Sequence, residues 1–530
     1  MPVMLAALAL PGIQVAASSP APADDRPVRI LLVGDSVTQG SAGDFTWRYR
    51  LWRHFQAAGV DVDFVGPRTD LYDNVLLQFG STDYADTDPA FDRDHAGRWG
   101  MTLDVQDVPI GTLVADYRPD VVVEMLGVND LTFGGKTPEV VTERVRTFVG
   151  DARAEDPTVD LVLAEATQTW REGVPEFNSR LDVLADELAT DTSSVVSADT
   201  DDDANPDGGY DEYADTWDTA HPNARGEVKI AAAVADALST MGIGPAATRP
   251  LPTVPLGPRS APVLAVTPGD RAATLSWAGP PGATGVYVWV RDVTKGEPWQ
   301  RLPWQVTDSP WTDLLLTNGH RYDFRLQPLK GDEEAAGDIR SNVATVVPQP
   351  SPPDRVAKPA LTPRMQGLAV RWPTAARATS YRVTWWPTGN TAAKRARATT
   401  GTSATITALA AGRSYAVQVR ARNGGGWGPV SSAATARPLG PRPDAPRELA
   451  LQRTSRHRVL ATWRSSTHAT RYQVQVRLRS ETTWATAGWT TRRTFTTRSL
   501  TTRRTYVFRV RAWHQYVPGG RSRTATITIR

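Results

Sequence analysis

The chain contains no cysteine, which excludes disulfides, thiolate nucleophiles and cysteine-based zinc sites. That absence leaves the compartment open, because a chain of 530 residues buries enough core to persist outside a cell without crosslinks. Beyond the N-terminal segment no run is long and apolar enough to span a bilayer. Only 7 histidines are present, so few side chains can serve as a base near neutral pH. No Gly-x-Ser-x-Gly elbow occurs, which argues against the α/β-hydrolase fold.

What is present falls into contrasting parts. Residues 1–25 read MPVMLAALALPGIQVAASSPAPADD, with an apolar stretch from Val3 to Leu10 and an Ala21-Pro22-Ala23 site before Asp24-Asp25. Two readings stand: a secretory signal lacking its usual Lys or Arg, or a disordered tail. We expect secretion, with the protein extracellular or at the cell surface. The net charge of +2 hides a split between the ends. Residues 24–243 carry an acidic excess of about 25, whereas residues 441–530 hold 19 Arg against 3 acidic side chains. Such asymmetry points to different partners, or to attraction between the ends.

Residues 26–243 alternate β-branched runs such as VRILLVG (28–34) and DVVVEMLG (120–127) with helical patterns such as WRYRLWRHFQAAG (47–59). Alternation of this kind predicts right-handed βαβ units and a parallel sheet covered on both faces. Ligands of such sheets sit beyond the carboxyl ends of the strands, where Gly34-Asp35-Ser36 and Gly127-Val128-Asn129-Asp130 fall. Residues 244–258 form a Pro-rich linker, expected to be semi-extended. Helical patterns then cease, and three segments repeat over 259–348, 353–438 and 443–530. Each opens on a tryptophan (Trp277, Trp372, Trp463) with a tyrosine nine or ten residues later (Tyr287, Tyr381, Tyr472). A second tyrosine (Tyr322, Tyr415, Tyr506) follows a leucine by six residues and opens an alternating strand. A buried Trp and a Tyr tied across a corner suit a β-sandwich core, and we expect these aromatics to be core. The spacing resembles the fibronectin type III domain in all three copies.

Ser36 in LLVGDSVTQG reads equally as a turn residue and as a nucleophile. A serine needs a base, and the base needs orienting. His320, His457, His468 and His514 lie in the repeats and His54 in a helical pattern, which leaves His95 and His221. Asp218 precedes His221 by three residues, close enough to accept from Nδ1–H and leave Nε2 for Ser36; the alternative is a helix-entry loop of capping residues. Oxyanion donors are sought in the backbone of Ser36 and Gly97 and the amide of Asn129.

In this order GDSVTQG, the glycine loop DHAGRWGMTL, GVND and DTAHPN resemble the four blocks of the SGNH (GDSL-type) hydrolases. That resemblance covers about residues 28–243 and implies a flavodoxin-like three-layer α/β/α sandwich, followed here by three all-β immunoglobulin-like sandwiches. Finer likeness is to carbohydrate esterase family three, which are secreted acetyl xylan esterases and relatives. It implies Ser36 as nucleophile, His221 as base, Asp218 as its orienter, and Ser36, Gly97 and Asn129 as the oxyanion hole; His95 takes a loop role. The family string near the glycine reads like HEGHSGWTI, so Arg98 and Trp99 depart from it and are expected at the mouth of the site.

The expected activity is hydrolysis of short acyl, acetyl above all, esters on a polysaccharide or glycoside through an acyl-enzyme. Rival readings are a lipase or phospholipase of the same superfamily, and a non-catalytic surface- or carbohydrate-binding protein. No cofactor and no metal are expected. Asp201, Asp203, Asn205 and Glu212 echo a calcium loop, but Pro206 stands where such a loop needs glycine, which favours a solvated acidic loop. Expected partners are an acylated carbohydrate or other small ester and, through the Arg-rich third sandwich, an anionic polymer; no nucleic acid is expected.

Overall fold

A computed structural model describes residues 26–85, 88–200 and 208–530. The expected signal segment and Asp201, Asp203, Asn205 and Pro206 of the acidic loop lie outside the described residues. The chain folds as two compact units, one of residues up to 267 with 274–313 and 321–346, the other of 268–273, 314–320 and 347–530. Among the described residues no helix is long and apolar enough to cross a membrane.

In the first unit, β1 (Val28–Gly34) leads into the single turn α1 (Ser36–Gln39) and then α2 (Trp47–Ala58). β2 (Val62–Val65), the paired β3 (Leu71–Asp73) and β4 (Gln78–Ser81), and the short β5 (Ala96–Gly97) follow. Next come α3 (Ile110–Tyr117), β6 (Val121–Met125), α4 (Val128–Thr132) and α5 (Pro138–Glu155). β7 (Asp160–Ala164), α6 (Val174–Leu188), β8 (Val195–Ala198) and α7 (Ala224–Thr240) complete the α/β part.

The strands pair in the order β2-β1-β6-β7-β8, all parallel, and β5 adds to the end of β1. Side chains alternate across the sheet, and both faces are apolar because both are covered. Ile30 and Leu32 pack with Leu51 and Phe55 of α2 and Val234 of α7. Leu31 and Val33 pack with Phe148 of α5 and Phe177 of α6. This is the expected flavodoxin-like α/β/α sandwich. Strand order reverses beside β1, which opens a crevice beyond the ends of β1 and β6.

The Pro-rich segment after α7 is laid on the α/β part rather than strung free. Arg249 pairs with Asp236 at 2.6 Å, the Ala247 N–H donates to the same carboxylate at 2.6 Å, and His54 Nε2 lies 2.8 Å from the Pro245 carbonyl.

The first β-sandwich comprises β9 (Val263–Gly269), β10 (Ala272–Ala278), β11 (Gly285–Asp292), β12 (Gln300–Arg301), β13 (Trp311–Leu314), β14 (Tyr322–Lys330), β15 (Glu333–Glu334) and β16 (Ala344–Val346). A three-stranded sheet, β13-β10-β9, accompanies a five-stranded one, β12-β11-β14-β15 with β16 on β14. The second unit holds two more pairs of a three-stranded and a five-stranded sheet. Their aromatics are core as expected: Trp372 meets Tyr381 edge-on at 5.5 Å and Trp463 meets Tyr472 at 5.3 Å. Tyr415 and Tyr506 accept backbone N–H bonds from Ala410 and Thr501, each at 3.1 Å. The first copy departs. Tyr287 comes ten residues after Trp277 instead of nine, and one residue moves a strand side chain to the opposite face. Val286 is therefore buried, while Tyr287 is half-exposed beneath the Arg301 guanidinium.

Candidate active site

Gly34 ends β1, and Asp35 caps the turn that follows, its Oδ1 accepting the Val37 N–H at 2.9 Å. Ser36 thus stands at the first helical position of α1, mostly buried at 9% exposure. The far end of this turn is closed by Arg48, a fully buried guanidinium that donates to the carbonyls of Thr38 (2.8 Å) and Gln39 (3.1 Å). Those carbonyls have no partner within so short a helix, so Arg48 supplies it. Burial pushes the Asp35 carboxyl up to about 6.

Asp218 and His221 form a tight local pair. Asp218 Oδ1 accepts the N–H groups of Ala220 (3.1 Å) and His221 (2.8 Å), and Oδ2 accepts from His221 Nδ1 at 2.7 Å. Thr219 between them takes φ 69°, a left-handed conformation rare for threonine. Its N–H is satisfied by Thr216 Oγ1 at 2.9 Å. Burial raises the Asp218 carboxyl, but the His221 hydrogen bond and charge outweigh it and hold the group below its ordinary range. With Nδ1–H committed to Asp218, the Nε2 lone pair is free to take a proton. The capping role in this loop belongs to Asn223, whose side chain accepts from Arg225 and Gly226 at the start of α7.

Aromatic rings frame the histidine. Trp99 stacks on His221 at 4.1 Å and on Tyr72 at 4.4 Å, and Trp217 lies 5.6 Å from the same imidazole. Ser36, Asn129, His221, Trp99, Gly100 and Arg171 line one cavity of 490 Å³. Trp99 is thus where the sequence put it, whereas Arg98 turns to Asp107 at 3.4 Å.

Gly97 stands apart from this lining. Its N–H donates to His95 Nδ1 at 3.0 Å, and it is absent from the cavity wall. A Cβ at Gly97 would come within 2.9 Å of the Gln39 nitrogen, so glycine is needed there for close packing against α1. Gly100, three residues on, lines the cavity at φ 75° with open space around its Cα and no acceptor for its N–H among the described residues. His95 is fully buried, accepts from Gly97 through Nδ1, and faces the Asp70 carbonyl with Nε2 at 3.0 Å; burial pushes its pKa down, so it stays neutral. Asn129 donates from Nδ2 to Asp35 Oδ2 at 3.0 Å and to the Met101 carbonyl at 3.1 Å, which fixes the amide with its nitrogen at the cavity edge.

Several residues escaped the sequence reading. Gly100 sits in the same string as Gly97, and only the backbone trace separates them. Gln168 Nε2 donates to the Ala220 carbonyl at 2.8 Å and braces the histidine loop, while Phe133 stands 84% exposed at the cavity rim. Arg48 was hidden in a helical pattern, where nothing marks a charge that will be buried.

Residues 32–228 match the GDSL-like Lipase/Acylhydrolase family, and residues 360–437 match the Fibronectin type III domain. The N-terminal domain is therefore a GDSL-type hydrolase domain, followed by β-rich domains that include fibronectin type III. More particularly, this N-terminal domain is similar to carbohydrate esterases of family 3. Similar solved structures include an acetyl esterase mutant with acetate ion, 26% identical over 40% of this chain and 97% of that chain, TM-score 0.34. A carbohydrate esterase family 3 protein from Talaromyces cellulolyticus is 27% identical over 40% and 97%, TM-score 0.34. A Clostridium thermocellum family 3 carbohydrate esterase is 24% identical over 41% and 97%, TM-score 0.34. No curated protein matches the chain.

Proposed function

We propose that the protein is a secreted serine esterase that removes acetyl groups from a polysaccharide or glycoside. The observation that carries this reading is the meeting of Ser36, Asn129 and His221 in one cavity, with His221 Nδ1 2.7 Å from Asp218. Ser36 Oγ attacks the ester carbonyl carbon as His221 Nε2 takes its proton. The imidazolium then gives that proton to the departing sugar oxygen, leaving an acetyl-serine. Water, deprotonated by the same nitrogen, releases acetate and restores Ser36. Asp218 holds the imidazole's tautomer and stabilises its charged form. The backbone N–H groups of Ser36 and Gly100 are read as the donors for the tetrahedral oxyanion, and the Asn129 amide joins them by releasing Asp35 or the Met101 carbonyl; the Gly97 N–H would likewise have to leave His95.

In an acetate-release screen across acetylated polysaccharides, Ser36→Ala should lower turnover by roughly 10³-fold or more. Retained activity in that variant would sink the assignment. Octanoyl esters should turn over far more slowly than acetyl esters; the reverse order would favour the lipase reading. The third sandwich is proposed to bind an anionic polymer through its 19 Arg. Retention of the full chain on such a polymer should fall steeply between roughly 50 and 500 mM salt, and salt-insensitive retention contradicts an electrostatic contact.

A further inference from the structure

Lys330 ends β14 at the tip of the first sandwich, yet its ammonium is buried against the α/β part of the same unit, 7% exposed. Its acceptors there are Ser41 Oγ (2.5 Å), the Ala42 carbonyl (3.1 Å) and Asp44 Oδ1 (2.5 Å). Three acceptors match the three hydrogens of an ammonium. The same nitrogen lies 4.9 Å from the centroid of the Trp217 ring, and Trp217 in turn stacks on His221.

The hairpin that Lys330 opens also touches the far end of the histidine loop. Gly331 adopts φ 56°, and a Cβ there would overlap the Trp217 carbonyl oxygen. Glu333 on β15 accepts from the Asn223 amide, the side chain that caps α7 two residues after His221. Lys330 and Gly331 therefore hold the segment at Trp217, and Glu333 holds it at Asn223. Between these anchors lies the left-handed Thr219 and the Asp218–His221 pair. Removing a lysine from water is costly unless all its hydrogens are satisfied. A contact that served only to tether two domains could sit at the rim in solvent; this one is placed behind the ring that backs the histidine.

We propose that the first β-sandwich completes the catalytic site, with Lys330 as a positioning residue that holds Trp217 and so fixes the imidazole of His221. This rests on the reading of His221 as the base for Ser36. A displacement of the base by about 1 Å lowers the chemical step by up to roughly 10²-fold while leaving substrate binding little changed.

The test uses the full chain with p-nitrophenyl acetate. Lys330→Met should lower kcat about tenfold or more, with KM within about twofold. Gly331→Ala, which pushes the hairpin off Trp217 without altering charge, should do the same. An unchanged kcat in folded Lys330→Met, or an effect confined to KM, overturns the proposal; if that variant does not fold, Gly331→Ala decides by the same criterion. A second readout does not depend on turnover. In a Ser36→Ala background the ring resonances of His221, shifted by the currents of Trp99 and Trp217, should move on Lys330→Met, and their constancy overturns the positioning role. Equal ester hydrolysis by wild type and Ser36→Ala would instead overturn the nucleophile assignment and leave the resonance test standing.

Discussion

The first β-sandwich and the two that follow share one plan, a three-stranded sheet with a five-stranded one, and differ at two places. In the second and third copies Tyr381 and Tyr472 enter the core against tryptophan, while in the first Val286 takes that position and Tyr287 points away. The hairpin after the long strand reads Lys330-Gly331-Asp332-Glu333 in the first copy, Asn423-Gly424-Gly425-Gly426 in the second and His514-Gln515-Tyr516-Val517 in the third. The two-sheet core tolerates either change. A hairpin tip lies outside that core, so it can acquire a charged anchor without disturbing the fold that carries it. One copy has thereby become part of the hydrolase unit, while the others have kept the aromatic core of the repeat.

The contrast can be broken most sharply by separating chemistry from scaffold. Tyr472→Ala should destabilise the third sandwich by roughly 3 kcal/mol or more, as expected for emptying a core aromatic. Turnover of p-nitrophenyl acetate should stay within about twofold of wild type, against the loss of roughly 10³-fold in Ser36→Ala. A parallel collapse of turnover in Tyr472→Ala would erase the distinction. The same substitution then compares copies directly. Tyr287→Ala should cost under about 1 kcal/mol, a surface-like value, and an unfolding curve showing a loss like that of Tyr472→Ala would return Tyr287 to the core.

A smaller effect concerns the hairpin alone. Burial pushes the Glu333 carboxyl up from 4.5 to about 7. Across that window the folded unit holds a proton that the unfolded chain has released, so its stability falls as pH rises. Glu333→Gln should flatten the slope between pH 4.5 and 7, measured as the shift in thermal midpoint of the first unit. No corresponding slope is expected from Asn423, which does not titrate, and an unaltered slope in Glu333→Gln would remove Glu333 as its source.

Much of this was legible beforehand, and for local reasons. The apolar runs that end at Gly34 and Gly127 gave strands buried on both faces, and their order gave the crevice in which Ser36 and Asn129 stand. Asp218 and His221 could be paired from spacing because three residues fold back within one turn. Gly97 could not be judged that way. Whether an N–H faces a cavity or a neighbouring ring depends on the path of the loop, and here it faces His95. The Pro-rich segment was legible as lacking regular structure, but its anchorage by Arg249 and Asp236 was not.

By itself, then, the sequence determined the alternation of strands and helices, the triple repeat and the pairing of Asp218 with His221, because each rests on periodicity or on residues within a few positions of one another. Tertiary structure alone decided that Gly100 rather than Gly97 borders the cavity, that Trp99 and Trp217 flank the imidazole, and that Lys330 reaches Ser41 across 289 residues of chain. No local pattern encodes such contacts. They exist only where folding has removed water from both partners at once, and a buried ammonium is stable only where its acceptors have already been gathered.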